Sequence, residues 1–526
     1  MLSALYKCIG KRRHMFTNIY DILSKKNNRY DDKIAIKDNQ KEYTYFEMKT
    51  QIDKIAASLL EMGIKKGDRV AIYLPNSFSF IVTFFACSKN GIICVPLNWI
   101  NNQLNVRYIL KDSGCTALIS YDSKIREVIP DITSMDNLFE NIYILMLEIR
   151  AKEKYVAQST ISEDTNLLLY TSGSTGQAKG VILTHFNTYV GGKIVGEYLE
   201  MSEQDIVLAL LPFSFDYGLN QVISTFLVSG TLVIKYPYLI YEIPQIIEKE
   251  RITGMAGIPT IWINLLNQRN INNFNFDSLR YITNSGEAIP ERYLGALEKV
   301  FTKTSIYLMY GLTECFRCTY LEPKMFRIKK GSIGKAIPGC EIIVVNDEGK
   351  RCQANEIGEL YFRGQTVAKG YWGIEKDSVF IDNPFNGCYK EKIVRSGDLV
   401  YEDEEGYLFF IGRNDKMIKK YGYRTNGFQI ANEILNNCDY VKACCVIGIR
   451  ETEGQRIVAF IELCEGESNE IREKDILLYS KKEMPMFMRI DTVITMETIP
   501  KLNSNKYDIS KLEHIAAEYL RTLKNK

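Results

Sequence analysis

Histidine is nearly absent from this chain, with only His14, His185 and His514 in 526 residues. Three scattered imidazoles offer little for a multi-histidine metal site or a His-based triad, so the chemistry has to run without a histidine base. Net charge is lacking too, because 66 Lys+Arg offset 64 Asp+Glu to a formal +2. No overall field draws the chain to nucleic acid or to an anionic membrane, and any anion must be held by a local site. No apolar run is long enough for an integral membrane segment, and the best one, 80–97, is broken by Lys89-Asn90-Gly91. The thirteen cysteines lack a disulfide-framework spacing and no cleaved secretory leader is seen, which points to reduced thiols and a cytoplasmic protein. Cys315-Phe316-Arg317-Cys318 has C-x-x-C spacing, but without a second pair or a nearby histidine no zinc or redox site is expected there.

What the chain does contain is a phosphate signature. The apolar run Leu167-Leu168-Leu169-Tyr170 breaks into Thr171-Ser172-Gly173-Ser174-Thr175-Gly176-Gln177-Ala178-Lys179-Gly180. The run suits a buried strand, and glycines among hydroxyls let the backbone approach an anion closely while offering N–H and O–H donors. A Walker A loop needs Ser or Thr directly after its lysine to help hold magnesium. Here Lys179 is followed by Gly180 and a second apolar run, 181–183, so a different phosphate loop between two strands is expected.

A chain of 526 residues exceeds one compact core, and two or more domains are expected. Residues 1–14 read as a basic leader, with Lys7, Lys11, Arg12 and Arg13, ahead of a domain starting near Met15. Helix and strand patterns alternate at 46–62, 69–74, 78–90, 92–96, 108–112 and 117–121, and again from 206 to 309. The pattern predicts an α/β architecture with largely parallel strands. Short strands and turns after 331, including a hairpin over 398–411, predict a β subdomain. The last hundred or so residues read as a small α+β domain, with helices at 430–437 and 476–482 and strands at 443–450, 456–464 and 492–496.

Two strings carry further chemistry. In Tyr310-Gly311-Leu312-Thr313-Glu314 the Tyr310 ring can stack on adenine, Thr313 can offer its hydroxyl to a phosphate, and Glu314 is a hard oxygen ligand for magnesium. In Phe213-Ser214-Phe215-Asp216-Tyr217-Gly218, Asp216 stands where a strand gives way to an apolar helix over 219–228. It reads either as a helix N-cap or as a carboxylate that pairs with a substrate ammonium, with Tyr217 and Asn220 beside it on the substrate side. Arg317 either pairs with Asp216 or meets a substrate side-chain carboxylate.

In this order and spacing the strings closely resemble the signatures of the adenylate-forming enzymes: acyl-CoA synthetases, luciferases and the adenylation domains of peptide synthetases. The resemblance runs from about Met15 to Leu512. It implies a large N-terminal α/β domain with a β subdomain, 15–412, and a small C-terminal mobile α+β domain on a hinge, 416–526. It assigns the loop 171–179 to the phosphates of ATP and Ser285, Gly286 and Glu287 to the adenine side. Asp398 falls to ribose, Arg413 to ribose or phosphate, Asp415 to the hinge, and Gly422 to a loop lining the pantetheine tunnel. Lys506, in register with the family's terminal Pro-(five residues)-Lys, becomes the catalytic lysine alongside Thr313 and Glu314. Two departures are Gln429 where the usual pattern has Glu, and Asn505 where Gly commonly precedes the lysine.

The implied reaction uses ATP and Mg2+ to turn a carboxylate into an acyl-adenylate, then a pantetheine thiol to form a thioester. The Asp216 string is similar to that of amino-acid adenylation domains, whose matching Asp takes the α-amino group. The leading expectation is therefore an amino acid loaded onto the phosphopantetheine arm of a separate carrier protein. The alternative is a fatty or aryl acid transferred to CoA, with Asp216 as a cap.

Overall fold

The structure, a computed structural model, describes all residues except 1–15, 25–27, 40, 133, 148–158, 173–176, 386–390, 415–416, 422, 451–454, 465, 503–505 and 525–526. Gly173, Ser174, Thr175 and Gly176 of the expected phosphate loop, the expected hinge residue Asp415, Gly422 and Asn505 therefore lie outside the described residues.

Short, continuously apolar strands form the centre of the large domain. Ile93–Pro96 and Thr231–Ile234 are buried at every position, as strands covered on both faces must be. One seven-stranded sheet runs from Asp136–Phe139 through Arg69–Ile72 and Ile93–Pro96 to the antiparallel pair Thr165–Ser172 and Ala178–Thr184. A second sheet has a parallel centre built from Ile34–Asp38, Thr231–Ile234, Ile206–Ala209, Gly254–Gly257, Tyr281–Asn284 and Ser305–Tyr310. It turns antiparallel at Thr319–Leu321 and continues into Ser332–Ala336, Leu408–Arg413, Lys392–Glu402, Gly358–Gly364 and Cys340–Val345. This run is the β subdomain.

Helices Phe78–Lys89 and Asp216–Leu227 join the two sheets in one core. Phe80 lies 5.5 Å from Phe213 between ring centroids, and Phe85 lies 6.0 Å from Phe226. Phe78–Lys89 is buried nearly all round, with apolar residues on every face, the composition of an interior rather than a surface helix. The expected N-cap role for Asp216 is not what the structure shows. The helix starts one residue earlier than that role requires, Phe215 is its N-cap, and Asp216 occupies the first turn.

In the small domain, Val441–Arg450 and Gln455–Leu463 pair antiparallel and Thr492–Thr495 joins in parallel. Helices Gly427–Asn437 and Asn469–Glu483 cover one face, and Ile509–Lys524 packs its Leu512, Ala516 and Leu520 on the other. The two domains touch where the Arg292 guanidinium donates to the carbonyls of Leu435 (2.9 Å) and Val441 (2.5 Å).

His185 is buried at the start of helix His185–Tyr198, where its Nδ1 accepts from the Ile19 backbone N–H at 3.2 Å. Burial pushes its pKa down from 6.5 to about 4, while Asp164 and Asp21 oppose the shift. The unfolded chain binds this proton more readily than the folded one, so the contribution is intact above about pH 6.5 and is lost as pH falls toward 4. The loss is on the order of 3 kcal/mol by pH 4. Urea midpoints measured between pH 7 and 4 should fall more steeply for the wild type than for His185→Gln; parallel slopes would refute the assignment.

Candidate active site

Parallel strands place their C-terminal ends on one edge, and ligands of open α/β sheets bind in the crevice beyond that edge. Here Tyr281–Asn284 runs directly into Ser285-Gly286-Glu287, and Ser305–Tyr310 into Gly311-Leu312-Thr313-Glu314. Gly286 has φ +90, a conformation open to few side chains, and an added Cβ there would have Ile258 Cγ2 as its nearest neighbour at 3.7 Å. Its requirement is therefore set by the backbone turn more than by space.

Tyr310, Asp398 and Arg413 come together although the last two belong to the antiparallel part of the sheet. Asp398 and Arg413 are cross-strand partners. The half-buried Tyr310 donates its hydroxyl to Asp398 Oδ2 at 2.5 Å, and Arg413 Nε lies 3.4 Å from Asp398 Oδ1. Burial first, and then the Asp398 charge, push the Tyr310 phenol pKa well up, so it stays a donor.

A second convergence centres on Tyr371. Its hydroxyl donates to Glu314 Oε1 at 2.7 Å, and the Lys179 ammonium sits 5.1 Å from its ring centroid. The segment around Tyr371 is stitched to the phosphate hairpin: Trp372 N donates to Gly180 O at 2.7 Å and Ile182 N to Gly370 O at 2.9 Å. Within the hairpin Thr171 pairs with Lys179 and Ser172 with Ala178. Both phosphate-side strings thus meet at one aromatic side chain. Burial and the neighbouring Glu314 push the Tyr371 phenol pKa up.

Among the described residues no cluster of three His, Cys, Asp or Glu could hold a metal. A lone carboxylate such as Glu314 suits Mg2+, which keeps several waters and takes substrate phosphate oxygens as its other ligands.

Lys506 arrives from the small domain. Its loop is closed by Leu502 N donating to Lys506 O at 2.8 Å and by a bridge between Lys501 and Tyr507. The Glu287 pKa is raised by its protein surroundings and pulled back by the charges of Lys506 and Lys501. The C-terminal lysine loop meets the large domain at Thr260, whose Oγ1 lies 3.5 Å from the Lys501 ammonium.

The substrate-side residues surround a small enclosed cavity. Arg317 Nη1 donates to Asp216 Oδ2 at 2.8 Å, and its guanidinium lies 4.9 Å from the Tyr217 ring centroid. The Tyr217 hydroxyl is 2.7 Å from Thr283 Oγ1. Asn220, Tyr217 and Arg317 all line the cavity. Of the two sequence alternatives for Arg317, the structure makes the pair with Asp216.

Tyr371, Thr283, Gln221 and Lys501 were not singled out in the sequence. A Gly-Tyr-Trp string after a strand was the available signal for Tyr371; the others lie within elements whose positions carry no local mark.

A family model described as "AMP-binding enzyme" matches residues 23–372, and one described as "AMP-binding enzyme C-terminal domain" matches 432–506. The chain is 26% identical over 522 residues to the mitochondrial medium-chain acyl-CoA ligase ACSF2 of Mus musculus, covering 91% of this chain and 83% of that one. It is 26% identical over 493 residues to 4-coumarate–CoA ligase 3 of Arabidopsis thaliana, covering 89% and 85%. In fold it is similar to the Bacillus subtilis o-succinylbenzoate CoA synthetase solved with ATP and a magnesium ion, at TM-score 0.80 and 24% identity, covering 95% of this chain and 99% of the other.

Proposed function

Because the chain belongs to the AMP-binding enzymes, a family of AMP-forming ligases that use ATP and Mg2+, we propose that it activates a carboxylic acid as its adenylate and transfers the acyl group to CoA. The observation that carries the choice of an acid without an α-amino group is the Arg317–Asp216 pair. An aspartate already paired with a buried guanidinium is not available to neutralise a substrate ammonium, and burying an unpaired ammonium is costly. The curated relatives support the same choice, since both are named as CoA ligases. The leading amino-acid expectation thus gives way to its alternative.

The substrate carboxylate is already a nucleophile, so attack on the α-phosphorus needs no general base, in keeping with the three histidines. Catalysis then rests on positioning and on charge stabilisation. Lys179 and the hydroxyls of the 171–176 loop hold the β and γ phosphates, while Asp398 receives the ribose hydroxyls. Thr313 donates to the α-phosphate, and Lys506 bridges the acid carboxylate and that phosphate. Glu314 would hold Mg2+, which spreads the charge of the departing pyrophosphate. Withdrawal of Lys506 as the small domain turns about Asp415 would open the way for the thiol.

Acid-dependent pyrophosphate exchange, followed by thioester formation with CoA against a phosphopantetheinylated carrier protein, tests the reading. Exchange with an α-amino acid and transfer only to the carrier would overturn it. Glu314→Gln should raise the magnesium concentration needed for half-maximal exchange; an unchanged magnesium dependence would remove the ligand role.

A further inference from the structure

We infer that the acid pocket selects a short carboxylic acid bearing a hydrogen-bond-accepting oxygen at its far end, rather than an unsubstituted alkyl or aryl chain. The inference rests on the reading of the Asp216 and Arg317 cavity as the acid site, and adds the class of acid.

The cavity is rich in uncommitted donors. Arg317 is 2% exposed, and its Nη1 is committed to Asp216 Oδ2 and to Phe316 O (2.7 Å). Its Nε and Nη2 have no protein partner, and neither does Nδ2 of Asn220, also 2% exposed. Among the described residues, the one unpartnered side-chain acceptor on the same lining is Gln221 Oε1, whose amide nitrogen is used on Leu208 O at 3.3 Å. All three side chains line the same cavity. Asp216 cancels the Arg317 charge, so what remains is an excess of N–H groups in a closed space. An acceptor oxygen satisfies those groups; a methyl or a phenyl edge leaves them buried and dry.

The arrangement is held by strain rather than left to chance. Phe316 adopts φ +56, ψ −46, and Arg317 N donates to Cys315 O at 2.6 Å, a γ-turn of the unfavourable hand. Such strain persists where surrounding structure enforces it, commonly at functional sites. Gly191 is part of that enforcement, because a Cβ there would fall 2.2 Å from Phe316 Cδ1. The turn brings the Arg317 side chain onto the cavity, where Nη1 is held by Asp216.

Size narrows the class. The cavity measures about 20 Å³, room for the order of one water, which suits a compact polar end and not a long chain.

The test uses the full-length protein and matched acids that differ only at the far end: butanoate against 4-oxobutanoate and succinate, and benzoate against 4-hydroxybenzoate. We expect kcat/KM for acid-dependent AMP formation to favour the oxygen-bearing member by at least about 10²-fold, because a site built to hydrogen-bond a group rejects the analogue lacking it. Arg317→Met and, separately, Asn220→Leu should bring the ratio close to one; the reading is the ratio within each variant, so a loss of activity common to both acids cancels. If Arg317→Met does not fold, Asn220→Leu carries the comparison alone. Wild-type ratios near one, or a preference for the unsubstituted or long-chain member, would overturn the class while leaving the ligase reading intact. Failure of every acid to release pyrophosphate would instead bring down the ligase reading and this inference with it.

Discussion

Lys506→Ala is expected to slow acid-dependent pyrophosphate release by about 10²- to 10³-fold, the scale for losing one preorganised charge or donor in a transition state. ATP binding should survive, because the adenine-side, ribose and phosphate groups all belong to the large domain. The argument is positional. Lys506 is carried on a short closed loop of the small domain, pinned by its own carbonyl and by the Lys501–Tyr507 bridge. Its charge is felt at Glu287, directly after strand Tyr281–Asn284. That end of the strand is where open parallel sheets bind ligands, and the proposed mechanism has the side chain act there on the attacking carboxylate and the α-phosphate. The thioester step should be much less affected when it is started from presynthesised acyl-adenylate, since the proposed mechanism withdraws the lysine before the thiol attacks. Equal exchange rates in mutant and wild type would remove Lys506 from the mechanism; equal losses in both half-reactions would make its role structural.

Much of this site was readable because it is written in contiguous strings. Thr171 to Lys179, Tyr310 to Glu314 and Ser285 to Glu287 sit where strands end, and a strand end followed by glycine and hydroxyls leaves a local mark. What was not readable depends on packing between distant segments. Tyr371 matters because two backbone hydrogen bonds lay its segment on the strand that follows the phosphate loop, a contact nearly two hundred positions away from Gly180. Strand Gly254–Gly257 is Gly-Met-Ala-Gly, with no β-branched residue, and becomes a strand only by pairing with neighbours on both sides. Helix Ile509–Lys524 was legible and went unread: Leu512, Ala516 and Leu520 repeat every four residues on one face. For Asp216 neither the N-cap nor the ammonium-ligand reading is what the structure shows; the pairing with Arg317, one of the two alternatives weighed for that arginine, is what forms across one hundred and one positions.

That partnership sets the second large expectation. Arg317 is 2% exposed at its side chain and Asp216 17%, with 2.8 Å between Nη1 and Oδ2. Asp216→Ala would leave the guanidinium buried with its charge uncompensated, so it should destabilise the large domain by about 3 to 5 kcal/mol, the scale for breaking a buried pair by removing one partner. The cost appears in stability, not in discrimination between an acid and its α-amino derivative. Removing the second charge should recover most of it: Asp216→Ala combined with Arg317→Met replaces the pair by apolar groups, and such replacements are often neutral or stabilising. A double-mutant cycle on denaturant midpoints, with circular dichroism of the large domain as the signal, measures the coupling directly. Additive losses in the double mutant would show that the pair contributes nothing. The opposite functional outcome is equally decisive: an Asp216→Ala protein that stays stable, yet loses activity toward amino acids and gains it toward their desamino analogues, would return Asp216 to the substrate and restore the amino-acid reading.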